Sequence, residues 1–271
     1  MKATDATTPG LLQRIPPPQR VVIVKASRIG DFICATPALR ALRQALPAAE
    51  ITLVTLPMLR DLAARLPDID HVAEFPGYPG IAEQLFDPRT AHSFFCEMQA
   101  VYFDLALQIQ GSGVHANPFT LMLGAQHSAG FIRPDDPPGL LAAALPLPDS
   151  GHEVQRMLDL PLFLGASAAG HGCAFPLRPG DHAAAADLLA SAQAPLIGLH
   201  PGARDANRRW PADRFSAVAR HLHQHFGASV VLIGEPDDPA LHTLHANLHD
   251  IPHLRGRAPE FADPWRADRS S

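Results

Sequence analysis

Residues 21–46, VVIVKASRIGDFICATPALRALRQAL, set the fold class of this chain. The first four residues form an unbroken β-branched run, which is typical of a strand that is covered on both faces. From Pro37 onward, leucines recur at helical spacing and arginines occupy the other face. Between the two lies a short turn at residues 27–31, which carries charge where packing alone requires none. The stretch therefore predicts a strand, a functional turn and an amphipathic helix.

The same alternation of strand and helix continues along the chain. Short apolar runs predict further strands at residues 51–56, 71–75, 104–110, 130–132, 196–200, 230–233 and 253–255, and amphipathic patterns predict further helices at residues 58–66, 119–123, 152–164, 211–226 and 239–248. Residues 133–150 are rich in proline and predict a surface loop. Strands that alternate with helices are typical of parallel sheets built from βαβ units, so the predicted fold class is α/β.

This alternation predicts two Rossmann-like domains. We expect a flexible lead-in at residues 1–20, a first domain at residues 21–165, a linker at residues 166–195 and a second domain at residues 196–271. The first domain has enough elements for a complete doubly wound sheet. The second shows only two clear βα units, which is too few for such a sheet, so we predict that it is incomplete.

Composition excludes several classes of protein. Hydrophobic residues make up 46% of the chain and charged residues 18%, as in ordinary folded domains. The net charge of −5 gives no bulk attraction to nucleic acid. The three cysteines show no C-x-x-C pairing, which argues against a disulfide framework and a cysteine zinc site. The N-terminus lacks a secretory h-region and residues 140–145 are too few to span a bilayer, so we expect a cytoplasmic protein.

Two charged loops follow predicted strands: residues 27–31, and residues 200–210 with the sequence HPGARDANRRW. In open parallel sheets, ligands gather at the carboxyl ends of the strands. If the two sheets face each other, these loops line one cleft, with an aspartate on one side and arginines on the other. A carboxylate can take a proton from an attacking hydroxyl, and arginines and helix N-termini can stabilise a departing diphosphate. The pair favours transfer chemistry on a phosphorylated donor.

Four segments, in this order, resemble glycosyltransferase family 9, the ADP-heptose:lipopolysaccharide heptosyltransferase group. They are RIGDFICATPALRALR (28–43), FDLALQIQGS (103–112), HEVQRMLDL (152–160), and HPGARDANRRWPADRFSAVARHL (200–222) followed by VVLIGEPDD (230–238). The resemblance implies a GT-B architecture, in which two Rossmann-like domains face a cleft. It also implies transfer of a heptose-like sugar, with inversion, from an ADP donor to a lipopolysaccharide-core-type acceptor. The resemblance implies no metal and no other cofactor at such a site.

The resemblance assigns roles to residues in both loops. Asp31 matches the aspartate proposed as catalytic base in the family, and Gly30 lets the turn approach the sugar closely. Arg208 occupies the position of a lysine or arginine near the donor phosphates. Gly202 and Ala203 match the small-residue turn whose backbone N–H groups bind those phosphates.

Three further residues are candidate substrate contacts. Arg28 belongs to the first charged loop, next to the aspartate. Ser112 and His115 follow the strand predicted at residues 104–110, at its carboxyl end. We expect the two residues after that strand to face the acceptor.

Structural alternatives remain open for several of these residues. Asp31 can serve only as an N-cap of the helix that follows. Arg28, Arg204 and Arg209 can be solvated surface arginines. The G-x-G at residues 111–113 can be a tight strand-to-helix turn, because it lacks the third glycine of a dinucleotide fingerprint. The histidines of the second domain favour a solvated polar face over a zinc site, because no H-E-x-x-H motif or third ligand accompanies them.

One feature of the family is not found in the sequence. Its members continue to a segment of the form S/N-D-T/S-G-P-x-H-x-A, which holds the donor diphosphate, and no such segment follows Gly234. We therefore expect a chain that is truncated relative to the family. The alternative function is a catalytically inactive member that at most binds a sugar or nucleotide. Expected partners are a nucleotide-sugar donor and a lipid-linked or lipopolysaccharide-core acceptor, with peripheral contact at the inner face of the cytoplasmic membrane.

Overall fold

The computed structural model describes residues 10–203, 205–234 and 237–255, and it divides into two compact units. The first unit comprises Met1–Pro176 and the second Leu177–Ser271. Each contains one parallel sheet accompanied by helices, which confirms the predicted α/β class. The division falls inside the stretch predicted as a linker, residues 166–195.

Six parallel strands form the sheet of the first unit. They are β1 (Arg20–Val24), β2 (Glu50–Thr55), β3 (His71–Glu74), β4 (Leu105–Gln108), β5 (His127–Ile132) and β6 (Ala143–Pro146). Their order is β3-β2-β1-β4-β5-β6, so β1 is a central strand with β2 on one side and β4 on the other. The chain changes direction of winding there, which makes the carboxyl ends of β1 and β4 the topological switch point. Residues 21–24 of β1 are fully buried, as their unbroken apolar run predicts.

Helices cover this sheet. They are α1 (Leu11–Arg14), α2 (Ile29–Ala45), α3 (Arg60–Ala63), α4 (Pro88–Gln99), α5 (Ala116–Leu121) and α6 (Glu153–Leu164), and a 3₁₀ turn at Pro57–Leu59 precedes α3. The apolar pattern of the sequence does not predict α4. Its start is marked instead by Asp87, whose carboxylate accepts the backbone N–H groups of Arg89 and Thr90, and by Pro88 at the first helical position.

Two stretches differ from their predicted structure. Residues 1–20 are predicted to be a flexible lead-in, but α1 lies within them and its Leu11 is only 4% exposed, because this apolar side chain joins the core. Residues 133–150 are predicted to be a surface loop, but β6 lies within them and pairs in parallel with β5. Pro146 is tolerated in β6 because this is an edge strand, where a missing N–H breaks no ladder.

Helix α2 begins at Ile29, well before Pro37, where the sequence pattern places its start. Pro37 lies inside the helix and has no N–H to donate to the carbonyl of Ile33. The hydroxyl of Thr36 donates to that carbonyl at 2.8 Å, so the acceptor left open by the proline is satisfied. The same Oγ1 accepts the N–H of Ala174 at 2.8 Å. One buried hydroxyl thus completes α2 and attaches a later segment to it.

Thr36→Val is expected to destabilise the first unit by about 1–3 kcal/mol, because it leaves two backbone groups without their partner. The matched control is Thr120→Val, whose buried hydroxyl donates to the carbonyl of Ala116 within α5 and accepts no recorded distant N–H. Urea denaturation of both variants measures the difference. Equal losses would show that the hydroxyl of Thr36 has no special role.

The segment that follows α6 lies along α2. Arg40 of α2 donates to the carbonyl oxygens of Ala169, at 3.5 Å, and Gly172, at 3.0 Å. Helix α6 itself packs against α2. The chain therefore leaves the first unit fastened to the same helix that begins after β1.

The second unit is smaller. Its described strands are β7 (Leu196–Leu199), β8 (Ser229–Leu232) and β9 (His253–Arg255), parallel and in the order β7-β8-β9, and its described helices are α7 (Pro179–Leu188), α8 (Ala212–Phe226) and α9 (Pro239–Asn247). A 3₁₀ turn at Ala206–Arg208 follows β7. The core is formed mainly by β8, α8 and α9, through residues such as Val230, Ala219 and Leu244. Helix α7 lies in the predicted linker and contributes no buried residue to this core.

Candidate active site

The switch point of the first unit brings two of the predicted loops together. β1 and β4 pair as far as Val24 and Gln108, and the N–H of Ile109 then donates to the carbonyl of Val24 at 3.1 Å. The loops that follow these strands therefore start side by side at one edge of the sheet. The first leads to Arg28, Gly30 and Asp31 and the second to Ser112 and His115. We call this region, residues 25–31 with residues 109–115, the switch-point edge.

Asp31 is the third residue of α2 and is exposed to solvent. The N-cap position belongs to Arg28, whose extended backbone precedes the helix and whose side chain makes no capping bond. Asp31 is therefore not the N-cap that the structural alternative supposed, although its charge in the first turn favours the helix dipole. Within the described residues, its carboxylate makes no hydrogen bond to the protein. Both oxygens of Asp31 are thus available to a ligand.

Lys25 is a residue of this edge to which the sequence analysis assigned no role. It directly follows β1 and is only 3% exposed, and burial lowers the pKa of its ammonium, against the opposing effect of the Asp31 and Glu153 carboxylates. Its Nζ donates to Sδ of Met157, on α6, at 3.6 Å. The available sequence signal is a lysine at the end of an apolar strand in a chain with only two lysines.

The loop after β4 is shaped by its glycines. Gly111 and Gly113 have φ angles of 57° and 82°, a conformation that favours glycine. A Cβ on Gly113 would also lie 2.1 Å from the carbonyl oxygen of Phe131. The G-x-G is therefore a tight strand-to-helix turn, as its structural alternative holds. It leaves Ser112 partly exposed and His115 exposed at the start of α5.

Polar groups below this turn are only partly paired. Asn117 Nδ2 and Gln108 Nε2 both donate to the carbonyl of Phe131, at 2.9 and 2.8 Å. The oxygens Oδ1 of Asn117 and Oε1 of Gln110 are buried and have no partner in the described part of the chain. A buried oxygen without a hydrogen-bond donor destabilises the fold. We therefore expect a ligand or a water molecule to donate to these two oxygens.

The second charged loop lies in the second unit, after β7. Gly202 packs so closely on the N-cap of α9 that a Cβ would lie 1.8 Å from Asp238 Oδ2. Ala203 accepts a hydrogen bond at 2.7 Å from Nε of Arg209, so this guanidinium holds the loop and is not simply solvated. Trp210, 45% exposed, packs edge-to-face on Phe215 with ring centroids 5.0 Å apart.

Arg208 ends the 3₁₀ turn of this loop, and the Asp205 carboxylate caps that turn by accepting the N–H of Asn207 at 2.9 Å. The Arg208 side chain is exposed and has no recorded protein partner in the described ranges. A guanidinium in this state can bind an anion in bidentate geometry. Arg204, the other arginine expected to be solvated, lies outside the described residues.

Metal ligands are not clustered in the described ranges: no group of three or more histidine, cysteine or carboxylate side chains is arranged to hold an ion. The rings of His221 and His225 stack at 4.2 Å, and Nδ1 of His245 lies 2.6 Å from Nε2 of His253. In the same ranges, no helix has the length and apolar character that crossing a bilayer requires.

The sequence profile of glycosyltransferase family 9 (heptosyltransferase) matches residues 91–254, from within α4 to β9. This chain belongs to glycosyltransferase family 9. The matched range includes Ser112, His115 and the second charged loop. Arg28, Gly30 and Asp31 precede it, so their assignment depends on the motif around them and on the topology of the sheet. No curated protein sequence matches the chain.

Solved structures of family 9 proteins share this fold. The glycosyl transferase family 9 structure from Veillonella parvula matches with a TM-score of 0.73 and 20% identity over 89% of this chain and 70% of that chain. ADP-heptose lipopolysaccharide heptosyltransferase II of E. coli matches with a TM-score of 0.65 and 21% identity, over 84% and 68%. E. coli heptosyltransferase WaaC with ADP matches with a TM-score of 0.62 and 17% identity, over 89% and 75%. The fold of this family 9 member is therefore of the GT-B type.

Proposed function

We propose that this family 9 member transfers a heptose-like sugar from an ADP-linked donor to a lipopolysaccharide-core-type acceptor, with inversion at the anomeric carbon. The observation that carries the proposal is Asp31, an exposed carboxylate at the switch point of the sheet that makes no hydrogen bond with the described part of the protein. The family supports sugar transfer. The E. coli structures with ADP and with ADP-2-deoxy-2-fluoro heptose, which share the fold, support the choice of an ADP-linked donor.

The proposed reaction is a single displacement. Asp31 takes the proton of an acceptor hydroxyl, and the hydroxyl oxygen forms a bond to the anomeric carbon of the donor sugar. The bond between that carbon and the donor phosphate oxygen breaks on the opposite face, and ADP departs with the electron pair. Attack opposite the leaving group inverts the anomeric configuration. Ser112, His115 and Arg28 are the proposed acceptor contacts around the carboxylate.

The second charged loop is the proposed site of the donor diphosphate. Arg208 supplies an exposed guanidinium with no recorded partner among the described residues, and the backbone N–H groups near Gly202 and Ala203 supply neutral donors. Stabilising the charge of the departing diphosphate by such donors lowers the barrier to bond breaking. We propose no metal ion or other cofactor for this step. We further propose that the acceptor is presented at the inner face of the cytoplasmic membrane, by peripheral contact of the protein.

The experiment that tests the proposed function is a direct transfer assay. The full chain is mixed with ADP-heptose and a lipopolysaccharide-core acceptor, and ADP release and acceptor mass are followed together. We expect both to change in step, with the acceptor gaining one heptose. ADP binding by calorimetry without any transfer would instead support an inactive sugar- or nucleotide-binding member.

Arg208→Ala is expected to weaken ADP binding about 10- to 100-fold, because it removes a charge-assisted contact worth about 1.5–3 kcal/mol. The matched control is Arg214→Ala, which removes an exposed arginine of α8 with no recorded side-chain partner in the described residues. Calorimetric titration with ADP compares the two variants. Equal ADP affinities in the two variants would show that Arg208 does not contact the donor.

A further inference from the structure

Buried polar atoms without a partner are concentrated at the switch-point edge. Among the described residues, the neutral side chains with such an atom are Ser27 (Oγ), Gln110 (Oε1) and Asn117 (Oδ1). Ser27 and Gln110 lie in the loops after β1 and β4, and Asn117 lies in the first turn of α5, directly after the second loop. The other described atoms of this kind belong to arginines whose guanidinium groups bond through their remaining nitrogens. Native folds rarely leave buried polar groups unpaired, so this concentration requires an explanation.

A hydrogen-bonded network holds Gln110 and Asn117 in place. The N–H of Gln110 donates to Oε1 of Gln108 at 2.7 Å, and Nε2 of Gln108 donates to the carbonyl of Phe131 at 2.8 Å. Nδ2 of Asn117 donates to the same carbonyl at 2.9 Å. Gln108 and Phe131 are both 0% exposed, so the network belongs to the protein interior. The two unpaired amide oxygens are therefore carried by residues at opposite ends of one fixed framework.

The chemistry of these side chains limits the groups that can pair with them. Nδ2 of Asn117 must face the Phe131 carbonyl, because a carbonyl oxygen accepts only from a donor, so Oδ1 remains as an acceptor. Ionised phosphate and carboxylate groups offer no donor to it. The Gln110 side chain makes no recorded hydrogen bond in the described residues, and its amide can present either its oxygen or its NH₂ group. A hydroxyl both donates and accepts, so it matches both residues.

We propose that Gln110 and Asn117 form a subsite for hydroxyl groups of the acceptor sugar, beside Ser112 and His115. This inference rests on the proposed function, in which the first unit binds the acceptor. One sugar hydroxyl donates to Oδ1 of Asn117, and a second pairs with the Gln110 amide. An acceptor with an anionic group in place of the first hydroxyl is rejected, because the Asn117 oxygen repels it.

The glycine turn between these two residues controls access to the subsite. Gln110 and Asn117 are partly exposed, but their unpaired oxygens are buried. Gly113 packs on the Asn117 amide, since a Cβ there would lie 2.3 Å from Nδ2, whereas a Cβ on Gly111 would meet no atom within 4 Å. The turn is therefore packed at one glycine and open at the other. A sugar hydroxyl reaches the oxygens when the turn moves outward at Gly111, and its hydrogen bonds favour that arrangement.

Gln110→Met tests the subsite in the full chain. The substitution keeps the length of the side chain and removes its unpaired amide, while the backbone N–H that bonds Gln108 stays. Because an unpaired buried polar group is replaced by an apolar one, we expect Tm to be unchanged or higher. In calorimetry with a lipopolysaccharide-core oligosaccharide, we expect binding to weaken about 10-fold, with the affinity for ADP unchanged.

The matched control is Gln193→Met. Gln193 is an exposed glutamine of the second unit whose side chain likewise has no recorded partner in the described residues. We expect this control to keep the wild-type Tm and the wild-type affinities for the oligosaccharide and for ADP.

Two further titrations identify the ligand group. An O-methylated oligosaccharide keeps its oxygens but cannot donate, so the wild type should bind it at least about 10-fold more weakly, and Gln110→Met should narrow the difference because the two changes remove one shared contact. The donor sugar also carries hydroxyls, and ADP-heptose should bind Gln110→Met as tightly as it binds the wild type. A loss confined to ADP-heptose would place the subsite on the donor sugar and overturn the assignment to the acceptor.

These outcomes separate the inference from the proposed function. Equal oligosaccharide affinity in the wild type and Gln110→Met would leave the unpaired oxygens to water and overturn the inference. A Tm that falls together with the affinity, or a wild type that binds no oligosaccharide, would overturn it as well. A wild type that binds the oligosaccharide through Gln110 but transfers no sugar would overturn the proposed function alone.

Discussion

Asp31→Asn is expected to lower kcat for sugar transfer by about 100- to 10,000-fold, because an amide cannot accept the proton of the attacking hydroxyl. The replacement keeps the shape of the side chain. The affinity for ADP should stay unchanged, since the proposed donor contacts belong to the loop after β7 and do not include Asp31. Initial rates of ADP release and calorimetry with ADP measure the two quantities separately.

The matched control for this substitution is Asp213→Asn. Asp213 is likewise an exposed aspartate in the first turn of a helix, α8, so both variants lose the same favourable charge at a helix N-terminus, worth about 0.3–1 kcal/mol. We expect the control to keep its activity. If Asp31→Asn lost ADP binding or thermal stability together with activity, Asp31 would be a structural residue.

Phe119→Ala is expected to give the largest loss of stability, about 3–5 kcal/mol, because it empties the centre of an aromatic cluster. Phe119 is fully buried beside the rings of Phe75, Tyr78, Phe94 and Phe95, with centroid distances of 5.0 to 5.9 Å. These rings come from α4, α5 and the segments after β3, so one side chain joins several elements. Chemical denaturation followed by circular dichroism measures the loss.

Phe86→Ala serves as the control for this second substitution. Phe86 belongs to the same unit but is 43% exposed and makes no recorded ring contact within the described residues. Its removal should change stability by less than about 0.5 kcal/mol, as is usual for surface substitutions. If Phe119→Ala lost as little stability as Phe86→Ala, the side chains around Phe119 would have to relax and fill the space.

The sequence predicts the strands of the sheet better than the elements around it. Residues 21–24 are apolar without interruption, and residues 51–56 are apolar apart from two threonines. Runs of this kind are typical of strands that are buried on both faces. The start of α2 was placed too late because Pro37 resembles a helix start. Only the packed structure reveals that Thr36 supplies the missing donor to Ile33.

The candidate site is predictable in its loops but not in its buried charges. The motif around Asp31 and the position of two loops after strands are visible in the sequence, and the topology places the first of them at the switch point. Lys25 was overlooked because its surroundings come from α6, more than 120 residues later in the chain. Long-range packing of that kind leaves no local pattern, so a lysine directly after a strand looks like an isolated exception.

Helix α2, which contains Pro37, connects the candidate base to a much later part of the chain. Its first turn carries Asp31. Further along the helix, Thr36 and Arg40 form hydrogen bonds with residues 169–174, the segment that leads to Pro176. Residues 169–174 therefore cannot shift without disturbing hydrogen bonds of the helix whose first turn carries Asp31.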